Sequence, residues 1–192
     1  GAFGLANPHH ALGDAISKFV EKADEYTSKG PKTSYNVGVI NGGTSINSIP
    51  YESSMLIDIR SVRPENLDEM ELILKKTSED ALTKQNAIKR IGPNLELEIN
   101  KIGNRPSGKV DVKNHLVQRA IAATNYMGGK PKLTIGSTDS NVPIALGLPA
   151  ITIGRGGDGG KNHSLDEWWL NKDGYKAIHM ALLVLLAVSG FI

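Results

Sequence analysis

His163 is the residue of this sequence best placed to do chemistry. It follows a predicted strand and a glycine-rich turn, and Asp166 and Glu167 stand close behind it. Loops beyond the carboxyl end of a strand are where α/β proteins place ligands, and an imidazole there can bind a metal or transfer a proton. A solvated loop histidine is the alternative. The remaining histidines fall on predicted helices and are interpreted as structural: His9, His10, His115 and His179.

Other metal and nucleophile patterns are missing from the sequence. A self-contained metal site needs three or four ligands, yet no H-x-D, HExxH or Glu-Glu pattern occurs. The absence of cysteine removes thiolate ligands, disulfides and cysteine nucleophiles together. The patterns alone therefore predict neither a complete catalytic metal site nor a catalytic nucleophile.

Two pairs of residues could bind a substrate. Asn47 and Arg60 bracket a predicted strand, and an amide with a guanidinium suits recognition of a carboxylate. A turn asparagine and a solvent-facing arginine are the alternatives. Gly136 and Ser137 follow another predicted strand in a turn rich in hydrogen-bond donors, although the residues after them can equally cap the next helix.

The run Gly154–Gly159 matches the dinucleotide-binding pattern GxGxxG. No helix is predicted to open at these glycines and no βαβ unit follows, so nucleotide binding is not favoured. Two interpretations stay open. The run is a surface loop, or its lack of side chains lets a bound group approach the backbone closely.

The elements that would position these residues fall into two predicted domains. Residues 8–26 have helical periodicity, and two strands follow, with Tyr35, Val37 and Val39 alternating in the first. A helix from Pro64 and a third strand over 95–99 complete the order helix, strand, strand, helix, strand. We therefore predict a ferredoxin-like βαββαβ unit that lacks its first strand, with antiparallel pairing of the two central strands.

The pattern changes after a Gly/Pro/Ser-rich connection, so we place the domain boundary between residues 107 and 108. The second part alternates as an α/β layer, and its predicted elements are helix 112–126, strand 132–135, helix 140–146, strand 149–153 and helix 172–189. The apolar run within the last helix is too short to span a bilayer and predicts a buried helix. A net charge of +2 makes nucleic acid an unlikely partner.

Taken together, four blocks of the sequence resemble the M20 family of dinuclear zinc metallopeptidases and amidohydrolases. They occur in family order along the whole chain: Gly4–Leu12, Gly42–Pro50 leading to Asp58-Ile-Arg60, Gly136–Asp139, and Leu148–Gly154 running to His163–Trp168. The resemblance implies an α/β protein in which residues 1–107 form a ferredoxin-like α+β lid, or dimerisation domain. Residues 108–192 would form the carboxyl-terminal part of the α/β catalytic domain.

The resemblance also implies a site and its partners. His163 would be a ligand of one of two Zn²⁺ ions, Asn47 and Arg60 would grip the carboxylate or backbone of a small peptide or N-acyl amino acid, and the segment with Gly136 and Ser137 would line the site. In the family the two ions activate a bridging water and a glutamate removes its proton. A homodimer formed through the lid and a cytoplasmic location are expected.

Several family residues have no counterpart in this sequence. The H-x-D ligand pair, the bridging aspartate, the Glu-Glu pair with the general base and the lid's Gly-His-Ser are all missing. We therefore expect a fragment of an exopeptidase that is inactive by itself. A deacylase or N-carbamoyl amidohydrolase on the same scaffold, and a non-catalytic dimerising interaction module, are the alternatives.

Overall fold

The computed structural model describes residues 4–191, and the chain packs as two compact units that divide between Ile102 and Gly103. Together they form an α+β fold of helices and small antiparallel sheets. The sequence predicts the domain boundary between residues 107 and 108, and the outermost residues of those predicted domains, 1–3 and 192, lie outside the described residues.

The first unit follows the predicted order of its first four elements. They are α1 (Pro8–Thr27), β1 (Thr33–Gly42), β2 (Ser53–Ser61) and α2 (Pro64–Ile88). Both helices begin with a proline at the first helical position, where the missing N–H costs nothing. Before α1, the Asn7 side chain accepts a hydrogen bond from the His9 backbone N–H at 2.9 Å, which satisfies one of the free donors of the first turn.

The core of the first unit lies between the two helices and one face of the sheet. Strands β1 and β2 pair antiparallel, as predicted, with Tyr35 opposite Ile59. Phe19, Ala23 and Met70 are fully buried, and apolar side chains of both strands pack against them. The apolar side chains that point inward from the two strands therefore pack against the apolar faces of α1 and α2.

Asp14 ties the two helices together on the surface. Its carboxylate lies 3.0 Å from the Lys18 ammonium on α1 and 3.1 Å from the Lys84 ammonium on α2. These two cations lower the pKa of Asp14 below its ordinary value. The stabilisation that they give is present above the ordinary pKa and is lost as the pH falls through the lowered one.

A β-bulge interrupts β1 at Gly38. The register shifts between Val37 and Val39, so that Val37 pairs with Ile57 but Val39 pairs with Leu56. The extra residue moves Val39 to the outer face, where it is 42% exposed. The prediction that Val39 alternates in phase with Tyr35 and Val37 is therefore wrong.

Tyr35 makes the core sensitive to alkaline pH. Its hydroxyl donates to the Asp24 carboxylate at 2.6 Å, and burial together with that bond raises the pKa of Tyr35 from 10.0 to about 12. The unfolded chain thus ionises first, so the stabilisation is complete below pH 10 and is lost between pH 10 and about 12. Tyr35→Phe should lower the free energy of unfolding by about 1 kcal/mol near neutral pH, and this deficit should shrink in urea titrations as the pH approaches 12.

Tyr51 offers the matched control, because its side chain is fully exposed. Tyr51→Phe should leave the free energy of unfolding unchanged both near neutral pH and as the pH approaches 12. A Tyr35→Phe deficit that stays constant up to pH 12 would show that ionisation of the Tyr35 hydroxyl is not coupled to folding.

The predicted third strand at 95–99 is not formed within residues 4–191. The backbone of Leu95 bonds instead to a side chain: its N–H donates to Asn86 Oδ1 at 2.8 Å, and its carbonyl accepts from Asn86 Nδ2 at 3.0 Å. Alternating apolar residues give strand propensity, but a strand also needs a neighbouring strand to bond to. None of the described strands pairs with this segment.

The described residues of the second unit, 103–191, form three helices and a small hairpin. They are α3 (His115–Tyr126), α4 (Asn141–Ala145), β3 (Asp158–Gly160), β4 (Trp168–Leu170) and α5 (Tyr175–Ser189). The three helices confirm the predicted ones at 112–126, 140–146 and 172–189. Helix α4 has Ser140 at its N-cap position.

The predicted strands at 132–135 and 149–153 are absent from the described part of this unit, because no described strand lies beside them. Ile135 is accordingly 86% exposed. The hairpin of β3 and β4, which pairs antiparallel, was missed by the sequence analysis. Its strands are too short, and too rich in glycine, to show the alternation on which strand prediction depends.

Helix α5 confirms the predicted helix but not its predicted burial. It packs against α3 along one side, and Val184 is the residue it buries. The opposite side leaves large apolar residues exposed: Ile178, Leu182, Leu185 and Val188. In the described range 4–191, none of the helices has the length and hydrophobicity that a bilayer crossing requires.

Candidate functional site

Asn47 lies in the loop that joins β1 to β2, residues 43–52. Its side-chain oxygen accepts a hydrogen bond from Ser45 Oγ at 2.6 Å, and the Ser48 N–H closes the turn on the Ser45 carbonyl at 3.4 Å. Further along the loop, Pro50 is buried. The tip that carries Asn47 is therefore an ordered turn followed by an anchored residue, and Asn47 itself is exposed.

Arg60 lies on the outer face of β2, next to the last residue of the strand. Its Nε donates to Asp58 Oδ2 at 2.6 Å, and both side chains are more than half exposed. The bond uses Nε, so within residues 4–191 the two terminal nitrogens are left to form the flat, two-pronged contact that guanidinium makes with a carboxylate. Asp58 thus orients the side chain.

Asn47 and Arg60 belong to the same unit but bond to different partners. Ser53, where the loop ends, and Arg60 are about 23 Å apart along β2 at the usual rise of a strand. No hydrogen bond of the described range connects the two predicted site residues. The structure thus places Asn47 and Arg60 on the same hairpin, but it does not bring their side chains into a shared hydrogen bond.

Gly136 and Ser137 are exposed residues in a segment without regular secondary structure before α4. Beside them is a hydroxyl cluster that sequence reasoning missed: Thr152 Oγ1 lies 2.6 Å from Thr138 Oγ1 and 2.8 Å from Ser140 Oγ. The sequence signal for this cluster was the hydroxyl residues themselves, Thr138 and Ser140 in the turn and Thr152 further along the chain. The cluster fixes the shape of the turn that Gly136 and Ser137 enter.

His163 lies in the turn between β3 and β4 in an unusual backbone conformation. Its φ is +64° and that of Lys161 is +56°, in the left-handed region that residues with a Cβ rarely adopt. The His163 N–H donates to Glu167 Oε2 at 3.2 Å, and Lys161 bonds to Asp166 at 2.9 Å. These contacts hold the turn while the His163 side chain stays exposed.

The glycines of residues 154–160 leave room for the side chains of the two tryptophans that follow. A Cβ on Gly157 would lie 2.7 Å from Trp169 Nε1, and one on Gly160 would lie 2.9 Å from Trp168 Nε1. Trp169 Nε1 donates to the Gly156 carbonyl at 3.1 Å, and the Arg155 guanidinium lies 5.8 Å from the Trp169 ring centre. The groups that approach this backbone closely are therefore the chain's own tryptophans.

The described residues do not by themselves fit a zinc ion. Among residues 4–191, no three His, Cys, Asp or Glu side chains are grouped closely enough to hold a metal. His163 can supply one imidazole, whereas a zinc site takes at least three protein ligands.

The comparisons with known proteins agree with this architecture. Residues 3–86 match the family model of the peptidase dimerisation domain of M20 proteins. The match lies within the first unit and bears out the family resemblance of that part of the sequence.

A similar solved structure is the aminopeptidase PepT from Bacillus cereus ATCC 10987. The similarity has a TM-score of 0.56 at 20% sequence identity, and it covers 91% of this chain. This chain spans 44% of that aminopeptidase, and at such an identity the likeness concerns the fold. The comparison with curated protein sequences gave no match.

Proposed function

We propose that this chain provides the lid and one part of the catalytic domain of a dinuclear zinc exopeptidase that hydrolyses small peptides. In this proposal Arg60 binds the substrate's carboxylate, Asn47 bonds to its backbone, and Gly136 and Ser137 line the site. The observation that carries the proposal is the Asp58 bond to Arg60 Nε, which orients an exposed guanidinium on a domain of the peptidase family. Arginine held in this way suits a two-point contact with a carboxylate.

The second unit supports a site completed by further polypeptide. Within its described residues the buried apolar side chains are Val117, Ala123 and Val184, whereas one side of α5 and the extended segments are exposed. Contiguous exposed apolar side chains are typical of an interface. His163 would then be one zinc ligand, with the others supplied from outside this part of the chain.

This arrangement assigns limited roles to the chain's own residues. Arg60 and Asn47 would hold the substrate in one orientation, which supplies binding energy and geometry rather than bond chemistry. Zinc, when bound in the completed site, would provide the activated water. The chain alone should therefore show no zinc-dependent peptide hydrolysis, and measurable hydrolysis by the purified chain would refute this part of the proposal.

The role of Arg60 can be tested on the chain as it is. We expect alanyl-leucine to shift the NMR signal of Arg60 Nε, and Arg60→Ala should weaken binding about 10- to 100-fold because a charge-assisted contact is lost. Arg63→Ala is the matched control, because Arg63 is also exposed and its side chain makes no capping bond to α2. Equal binding of alanyl-leucine and its carboxyl-terminal amide would contradict carboxylate recognition.

The partner that the matched domain supports is a second copy of this chain. The domain is described by its role in dimerisation, and β1 and β2 form a two-stranded sheet whose outer edges have no partner strand among residues 4–191. Exposed strand edges can pair with a second chain. Light scattering over a range of concentrations would reveal a dimer, and a monomer at all concentrations would rule this proposal out.

A further inference from the structure

We infer that His9 is a positioning residue that holds the 43–52 loop, and with it Asn47, in place from the first turn of α1. The inference rests on the proposed function for what Asn47 binds. Its structural part depends only on contacts within the first unit. His9 was interpreted from the sequence as a structural helix residue without any role at the site.

The His9 ring contacts both ends of the loop. Its Nδ1 lies 2.7 Å from Ser53 Oγ, the first residue after the loop. At the other end, the ring lies so close to Gly42 and Gly43 that a Cβ on either would be 2.8 Å from a ring atom. A single side chain thus joins the last residue of β1 to the first residue of β2.

The His9 ring fits here because two glycines, the last residue of β1 and the first residue of the loop, carry no side chain. Gly42 and Gly43 have φ values of +135° and +77°, which disfavour residues with a side chain. A Cβ on Gly42 would also lie 2.5 Å from the Glu52 carbonyl oxygen, so the two ends of the loop approach each other closely beside the ring. The absence of side chains at this pair therefore leaves the space that the His9 ring occupies.

His9 is itself firmly held. Its backbone N–H is bonded to the Asn7 side chain, and the helix that carries it is fixed in the core through Phe19. His9 remains solvent-exposed, so burial of the ring in the core does not account for the contacts. A loop fixed to a helix loses less conformational freedom when it binds a ligand, and this favours binding.

The test uses the intact chain and two measurements. The first is hydrogen exchange of the backbone amides of residues 43–53, and the second is the affinity for alanyl-leucine. His9→Ala should speed exchange in the loop about tenfold, because local opening becomes easier, and weaken alanyl-leucine binding several-fold while the melting temperature stays near that of the wild type. His10→Ala is the matched control, because His10 is the neighbouring exposed histidine.

Two more variants separate the hydrogen bond from the ring. His9→Asn places a polar atom near the position of Nδ1 and should restore part of the slow exchange. Ser53→Ala removes the bond without changing the helix and should loosen the loop on its own. If His9→Ala unfolds the unit, the Ser53→Ala variant still decides the question.

Each outcome has one meaning. Unchanged exchange in both His9→Ala and Ser53→Ala overturns the inference, and so does faster exchange with unchanged alanyl-leucine binding. If the wild-type chain shows no binding of alanyl-leucine at Arg60 or Asn47, the proposed function fails at this site. Faster loop exchange in His9→Ala, reversed in His9→Asn, would then still establish that His9 positions the loop.

Discussion

In Phe19→Ala, the free energy of unfolding of the first unit is expected to fall by about 3–5 kcal/mol. Phe19 is 0% exposed, and its ring meets the Tyr35 ring edge-on with the centres 5.2 Å apart. Alanine would remove the apolar contact area and leave a cavity in the cluster that Phe19 forms with Ala23 and Met70. For a unit of this size such a loss is a large share of the total stability.

Urea unfolding, followed by circular dichroism, would measure this loss. Leu72→Ala is the control, because Leu72 also lies on a helix of this unit but is 58% exposed. It should cost less than about 0.5 kcal/mol, as surface substitutions usually do. Equal losses in the two variants would mean that the core is not centred on Phe19.

The second large effect is expected at the hairpin that carries His163. A Cβ on Gly157 would lie 2.5 Å from the Leu170 carbonyl oxygen and 2.7 Å from Trp169 Nε1, and Gly157 has φ +73°. Gly157→Ala therefore combines a backbone clash with an unfavourable φ and should destabilise the hairpin by about 1–3 kcal/mol. The indole of Trp169 would leave the glycine backbone and become more solvated.

Tryptophan fluorescence would follow this change, because both tryptophans of the chain lie in β4. Gly154→Ala is the matched control in the same glycine run, since a Cβ there meets nothing within 4 Å. The control should keep the emission spectrum of the wild type. A Gly157→Ala spectrum identical to that of Gly154→Ala would show that the indole does not pack on this glycine.

Elements with strong local signals could be predicted from the sequence. The helix predicted over residues 8–26 begins at Pro8 in the structure, directly after the N-cap residue Asn7. The pairing of β1 with β2 followed from two alternating segments joined by a turn-rich loop. In both cases the deciding residues are neighbours in the sequence.

Features that depend on distant residues could not be predicted in this way. The extended segments around Leu95 and Ile135 have the alternation of strands, but pairing requires a second strand that local sequence does not reveal. The apolar stretch in α5 suggested burial, but only the packing of α3 determines which of its residues are covered.

The candidate site shows the same division. The placement of His163 in a turn after a glycine run was predicted from its neighbours, and its left-handed backbone was not. The contact of His9 with Gly42, Gly43 and Ser53 joins residues far apart in the chain, and no spacing pattern reports it. The roles of Asn47, Arg60 and His163 in binding remain predictions.

The bulge at Gly38 has a consequence for how related sequences can vary. It divides β1 into two segments whose side chains alternate in opposite phase, and the second segment leads to the glycines under His9. Deleting Gly38 would remove the extra residue and make the ladder regular, so Val39 would stay opposite Leu56 on the outer face and Gly42 would stay opposite Ser53. A one-residue deletion at Gly38 is therefore expected to preserve the later pairs of β1, whereas a deletion elsewhere in the strand would turn the residues that follow it to the other face.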